Sequence, residues 1–293
     1  MRWPWSRWTE ARRYYPDGYA AWHAQGWATL PTHHYPHLET VLPQLTAWAT
    51  QQRDTLDYAA VMTAHPHIKP FYFNLLTRAD LRQMPALSQW AVSNEVLNLL
   101  VPYYHHLPYV SHLAVFLTQY GHPCEQTAKP IGTQRLHLDS RDPRHVKLFV
   151  PLTDTTMNDG PMVVVNKERS ASLRRATRRW YQWRRTSPFT VDADFLPYLQ
   201  EKDLTPLVGP VGQLHIVDTS HCWHYGSRRG VGGSRLTLVV HYTDRLYSRY
   251  RSEDYMDLNL LASPECRPAN LTRAQQLVWP LITPMEETHV KPG

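Results

Sequence analysis

Gln134-Arg135-Leu136-His137-Leu138-Asp139 carries an HxD step in a stretch that reads as a β-strand. Residues i and i+2 of a strand share a face, so His137 and Asp139 project side by side while Leu138 packs behind them. Two imidazoles and one carboxylate can hold one side of a ferrous ion and leave its other positions open, the arrangement used by non-haem iron oxygenases. The second imidazole must then come from another strand. His224 offers it, and eleven positions later Arg235 adds a planar guanidinium able to grip a carboxylate through two parallel hydrogen bonds. A dicarboxylic cosubstrate such as 2-oxoglutarate suits that pair.

Around this stretch, apolar alternation and turn residues predict a series of short strands at 109–117, 146–152, 162–166, 212–218 and 235–242. Short strands separated by turns indicate a sandwich or barrel. Helices precede them: a short one at 19–25, an amphipathic one over 38–53 with Pro43 as a kink or a later start, and two across 79–105. The expected fold class is mainly β with helical support, an α+β arrangement in one domain spanning 1–293. Within it, 1–16 reads as an arm, 17–108 as helical support, 109–245 as the β core and 246–293 as a C-terminal extension. Residues 167–208 interrupt the strands. There Leu173, Ala176, Trp180 and Trp183 recur at helical spacing opposite Arg174, Arg175, Arg178 and Arg179, which predicts a basic amphipathic lid over the mouth of the barrel.

Three further stretches extend the pattern: Val146-Lys147-Leu148-Phe149-Val150-Pro151-Leu152, Asp159-Gly160-Pro161-Met162, and Asp218-Thr219-Ser220 through His224-Tyr225-Gly226-Ser227 to Arg235. Together with the HxD segment they resemble the phytanoyl-CoA dioxygenase family of Fe(II)/2-oxoglutarate oxygenases. The resemblance covers about residues 110–245, and Asp17-Gly18-Tyr19 with Gly26-Trp27-Ala28-Thr29-Leu30-Pro31 is similar to the family's N-terminal helix and first strand. It implies a double-stranded β-helix, or jelly roll, of cupin type. It implies His137, Asp139 and His224 as iron ligands, Arg235 as the anchor for 2-oxoglutarate, and O2 as the oxidant. His221 stands three residues before His224, but the eleven-residue step to Arg235 selects His224. A retained Asp139 favours hydroxylation over the halogenation performed by relatives that lack the carboxylate.

Other residues are candidates for the cosubstrate pocket. Thr237 shares a strand face with Arg235, Ser227 is a further donor, and Gln134 has the wrong parity to face the metal and ranks behind both. Lys147 reads equally as a contact for a substrate acid or as a solvated lysine. Trp223 and Tyr225 alternate with His224 and read as packing.

The rest of the composition sets bounds. With 42% hydrophobic and 12% aromatic residues the chain can fill a core, and 24 prolines against 12 glycines point to rigid loops. Cys124, Cys222 and Cys266 are too few and too scattered for a disulfide framework or structural zinc. No apolar run is long enough to span a bilayer, and the Trp- and Arg-rich start lacks the apolar core of a signal peptide. A cytoplasmic protein is expected. The net charge of +6 is concentrated at Lys167, Arg169, Arg174, Arg175, Arg178, Arg179, Arg184 and Arg185. Without a reading motif that cluster gives no specific nucleic-acid partner; an acidic or carrier-linked small-molecule substrate fits it better. Two other readings stay open at this point, a cupin-type metalloenzyme that does not use 2-oxoglutarate and a non-catalytic binding protein of the same fold.

Overall fold

The computed structural model describes residues 22–31, 35–57, 59–61, 72–119, 130, 132–139, 143–177, 195–228, 234–244 and 266–279. A four-residue helix α1 (Trp22–Gln25) turns through Gly26 into strand β1 (Trp27–Leu30). Gly26 has φ 81°, and a Cβ there would stand 2.4 Å from Cys222 Sγ, so both backbone and packing demand glycine. Helix α2 (Pro36–Thr55) begins on Pro36, whose missing N–H would have no partner in a first turn. It continues past Pro43, neither starting later nor ending there, and buries Leu38, Val41, Leu45 and Ala49 along one side.

After strand β2 (Tyr72–Asn74), the region expected to hold two helices holds three: α3 (Arg78–Gln83), α4 (Pro85–Ala91) and α5 (Asn94–Tyr104). The local chemistry explains the extra break. Thr77 and Asp80 form a reciprocal capping box, Pro85 starts a new helix, and Ser93 Oγ accepts from Val96 N–H to cap the third. His105, at φ 61°, ends α5.

The remaining elements are strands β3 (Tyr109–Gln119), β4 (His145–Pro151) and β5 (Val163–Val165), helix α6 (Lys167–Ala176), strands β6 (Leu204–Pro206), β7 (Leu214–Asp218), β8 (His224–Tyr225) and β9 (Ser234–Thr243), and helix α7 (Arg273–Val278). They build a six-stranded antiparallel sheet in the order β1-β7-β4-β9-β3-β2 and a three-stranded sheet β6-β5-β8. The non-sequential order gives the double-stranded β-helix core, and the helices make the whole α+β.

The two faces of the larger sheet differ. One carries Leu113, Val115, Leu117, Leu148, Val150, Ile216, Leu236, Leu238 and Val240, packed with Leu38, Leu45, Trp90, Leu97 and Leu100 of the helices. The opposite face looks towards the smaller sheet. Near β1 that space is filled by Trp27, Phe149, Val217, Met162, Val164, Leu207 and Cys222.

Two expectations need correction. The HxD segment is not a regular strand: Gly132–Gln134 forms a 3-10 turn, and His137 makes a single bridge to His224. His137 N–H donates to His224 O (2.9 Å) and His224 N–H to His137 O (3.0 Å), after which Asp139 N–H reaches Thr219 O (2.9 Å). The second correction concerns the insert. Leu173 of α6 packs with Leu136, Leu138, Val165, Phe195 and Trp223, so this part of the predicted lid lies behind the segments that carry His137 and His224. Apolar area on the back of His137 and His224 is what the helix's apolar side covers, and β6 takes a place in the smaller sheet. Residues 178–194, with Trp180, Trp183 and the arginines at 178, 179, 184 and 185, lie outside the described residues, as do 1–16.

Candidate metal and cosubstrate site

Bridge pairing of His137 with His224 places their rings 4.2 Å apart, centroid to centroid. Alternation survives the irregular backbone: Leu136 and Leu138 point into the apolar cluster behind, leaving His137 and Asp139 on the other side. His137 Nε2 lies 4.0 Å from Asp139 Oδ1, and His224 Nε2 lies 3.8 Å from Asp139 Oδ2. One donor atom from each of the three residues falls within 4.8 Å of the others. Side-chain adjustment suffices to bring such a set to one ion at about 2.1 Å from each donor.

The protonation states fit a metal. His137 Nδ1 is 2.8 Å from Arg135 O, and His224 Nδ1 is 2.9 Å from Cys222 O. A carbonyl accepts only, so each Nδ1 carries the proton and each Nε2 turns a lone pair towards Asp139. Burial, reinforced by the neighbouring His224, lowers the pKa of His137 to about 3; burial likewise lowers that of His224 to about 4. Both rings are neutral, as ligands must be. Burial works against charge on Asp139, but the carboxyl is held well below its usual range, with the Lys147 ammonium the foremost opposing influence. Lys147 Nζ is 2.7 Å from Asp139 Oδ2. Lys147 is therefore no solvated lysine.

A cavity opens between the sheets beside this group, lined among others by His137, Lys147, His215, His224, Ser227, Arg235 and Thr237. Arg235 is 8% exposed. Its Nη2 stands 3.5 Å from Thr118 Oγ1 and from Ser227 Oγ, its Nε has no hydrogen-bond partner, and no carboxylate lies within ion-pair distance among the described residues. Burying a guanidinium without an acid is costly, and a ligand carboxylate offsets that cost. Ser227 is held at φ 56° with its N–H on Gly160 O. Gln134 is absent from the cavity wall: its Nε2 donates to Ser227 O (2.9 Å), bracing the turn that presents the hydroxyl.

Several lining residues were not singled out from the sequence. Thr118 is the cross-strand partner of Arg235, a pairing that only strand register reveals. Tyr72 stacks on Phe116 at 4.2 Å. Beyond Lys147, three further histidines occupy the inner face, with the His241 ring 4.9 Å from that of His112 and 5.1 Å from that of His145. Burial leaves all three neutral, with values lowered to about 3 for His112 and about 4 for His145.

His221 stays out of the metal group. Its Nδ1 is 3.0 Å from Asp218 Oδ1, within a hub where Asp218 also accepts from Tyr103 Oη (2.6 Å) and Ser220 Oγ (2.7 Å) and pairs with Lys167 (3.5 Å). The hub ties α5 and α6 to the end of β7. Trp223 is packed among apolar side chains and Tyr225 stacks under Arg228 (3.4 Å), both away from the donors.

No protein-family model matches the chain, and no curated protein matches it. Solved structures similar to it include HygX from Streptomyces hygroscopicus with nickel and 2-oxoglutarate bound, at 14% identity and TM-score 0.46, covering 78% of this chain and 87% of that one. The epimerase SnoN from nogalamycin biosynthesis, described as non-heme and alpha-ketoglutarate dependent, is 13% identical at TM-score 0.46 over 83% of this chain and 92% of its own. EctD from S. alaskensis with 2-oxoglutarate and 5-hydroxyectoine is 16% identical at TM-score 0.45, over 84% and 81%.

Proposed function

We propose that the protein is an Fe(II)/2-oxoglutarate-dependent oxygenase of the phytanoyl-CoA dioxygenase-like type, hydroxylating a C–H bond of a small molecule. The observation that carries this reading is Arg235, a buried guanidinium without an acid, set in one cavity with two neutral histidines and a carboxylate. His137, Asp139 and His224 would hold Fe(II). With O2 and 2-oxoglutarate, the bound iron would supply the oxidising chemistry, the cosubstrate leaving as succinate and CO2.

The chain's own groups do the positioning. Arg235, with the hydroxyls of Thr118, Ser227 and Thr237 beside it, fixes the distal carboxylate and so the register of the cosubstrate. Phe116, Phe149, Met162 and Leu207 surround the remainder and exclude water. Lys147 balances the charge of Asp139 from the side of the three inner histidines.

An acidic or carrier-linked substrate was suggested by the arginine-rich insert. Arg169 pairs with Asp203 (3.1 Å) and Arg174 donates to Ser220 O (3.2 Å), so these two serve packing. The suggestion rests on Arg175, exposed with its guanidinium 3.2 Å from Ser172 Oγ, and on Arg178, Arg179, Arg184 and Arg185, which lie outside the described residues.

Anaerobic titration with Fe(II) and then 2-oxoglutarate tests the assignment. The expected result is a visible charge-transfer band that needs both additions and that, in Arg235→Met, needs about ten- to a hundredfold more 2-oxoglutarate. A protein that binds Fe(II) but gives no band, and makes no succinate under O2, is the cupin-type enzyme without 2-oxoglutarate; one that gives the band but never turns over is a binding protein.

A further inference from the structure

His215 lies on β7, directly opposite Phe149 of β4, and lines the cavity that holds Arg235. It is 1% exposed. Its Nδ1 is 2.8 Å from Thr29 Oγ1 on the neighbouring strand, while its Nε2 is buried and has no hydrogen-bond partner. A buried polar nitrogen left unsatisfied costs about 1–3 kcal/mol unless something in the cavity meets it. Apart from Thr29, its cross-strand partner on β1, the inner-face neighbours on its own side are apolar, among them Trp27, Val217 and Phe149, and none of these can meet Nε2.

We propose that His215 is a cosubstrate-positioning residue, whose Nε2–H donates to the far carboxylate of the diacid held by Arg235. The inference rests on the 2-oxoglutarate reading above and adds to it a donor from the strand on the other side of β4. Thr29 is compatible with this arrangement: its hydroxyl, 2.8 Å from Nδ1, can donate to the bare Nδ1 of the neutral tautomer that carries its proton on Nε2. Burial, then the positive charge of Arg235, lowers the pKa of His215 to about 4, so the ring donates one hydrogen bond without adding a second full charge. A hydroxyl can donate or accept, so the ligand selects the tautomer and Thr29 follows.

The tautomer is read directly by 15N NMR of histidine-labelled Zn(II)-loaded protein, with and without 2-oxoglutarate. The expected spectrum with 2-oxoglutarate shows a protonated Nε2 and an unprotonated Nδ1 for His215, the Nε2 signal moving on addition; a proton on Nδ1 overturns the inference. Affinity gives the second measurement, by calorimetry on the same metal-loaded protein. His215→Leu should weaken 2-oxoglutarate binding roughly tenfold, raise the KM for 2-oxoglutarate and leave kcat nearly constant; His215→Gln, which keeps an amide donor, should recover most of the loss. If both variants bind like the parent while Arg235→Met does not, His215 has no such role and the oxygenase reading stands. Should the parent itself fail to bind 2-oxoglutarate, both fall together.

Discussion

The two faces of the six-stranded sheet share strands, hydrogen bonds and register, yet carry opposite chemistry. Along β9, Leu236, Leu238 and Val240 pack against the helices, while Arg235, Thr237 and His241 look inwards. Along β4, Val146, Leu148 and Val150 alternate with His145, Lys147 and Phe149 in the same way. Stability and recognition are thus written into one strand at period two, and a change at one residue should disturb one property and spare the other.

The largest effect is expected at the proposed metal donors. His224→Ala should lower metal affinity by more than about a hundredfold, beyond what removal of an orienting partner costs, whereas His221→Ala should leave it nearly unaltered; calorimetry with Zn(II) or Fe(II) separates the two. On the apolar face, Leu238→Ala should cost about 2–5 kcal/mol of stability and leave the KM for 2-oxoglutarate untouched at temperatures where the protein stays folded. A shifted KM would break the division of labour between faces.

Arg235→Met reverses that pattern. It should weaken 2-oxoglutarate binding about ten- to a hundredfold with metal affinity preserved, as equilibrium titration would show. The smallest effect sits at the Asp218 hub. Burial alone would raise the carboxyl of Asp218, but hydrogen bonds from His221, Tyr103 and Ser220 hold it below its usual value. A folded value below the unfolded one, about 3.9, adds stability above that pH and loses it as pH falls through the folded value. Tyr103→Phe removes one of those bonds. Its deficit, about 1 kcal/mol at pH 7, should shrink in urea unfolding below pH 4.

Much of this was legible in the residues. His137, Asp139 and His224 converge because HxD parity and the later histidine are local facts of the chain, and the alternation that predicts β4, β7 and β9 also predicts their inner faces. What the residues hid were relations between strands. Thr118 joins Arg235 only through antiparallel register, and His215 reaches the cavity only because β7 pairs with β4. Gln134 had the right neighbourhood and a different task, since a 3-10 turn sets its amide against the Ser227 carbonyl. Helical spacing at Leu173 gave the helix but not its docking surface, because an apolar stripe does not say which apolar surface it covers.

Both imidazoles proposed as iron ligands are steadied by the carbonyl two residues earlier in their own chain, Arg135 O for His137 and Cys222 O for His224. Main-chain oxygens persist whatever side chain occupies those positions. Selection can therefore rebuild the walls around the donors for new small molecules without redirecting the lone pairs, so chemistry and substrate choice can evolve on separate schedules.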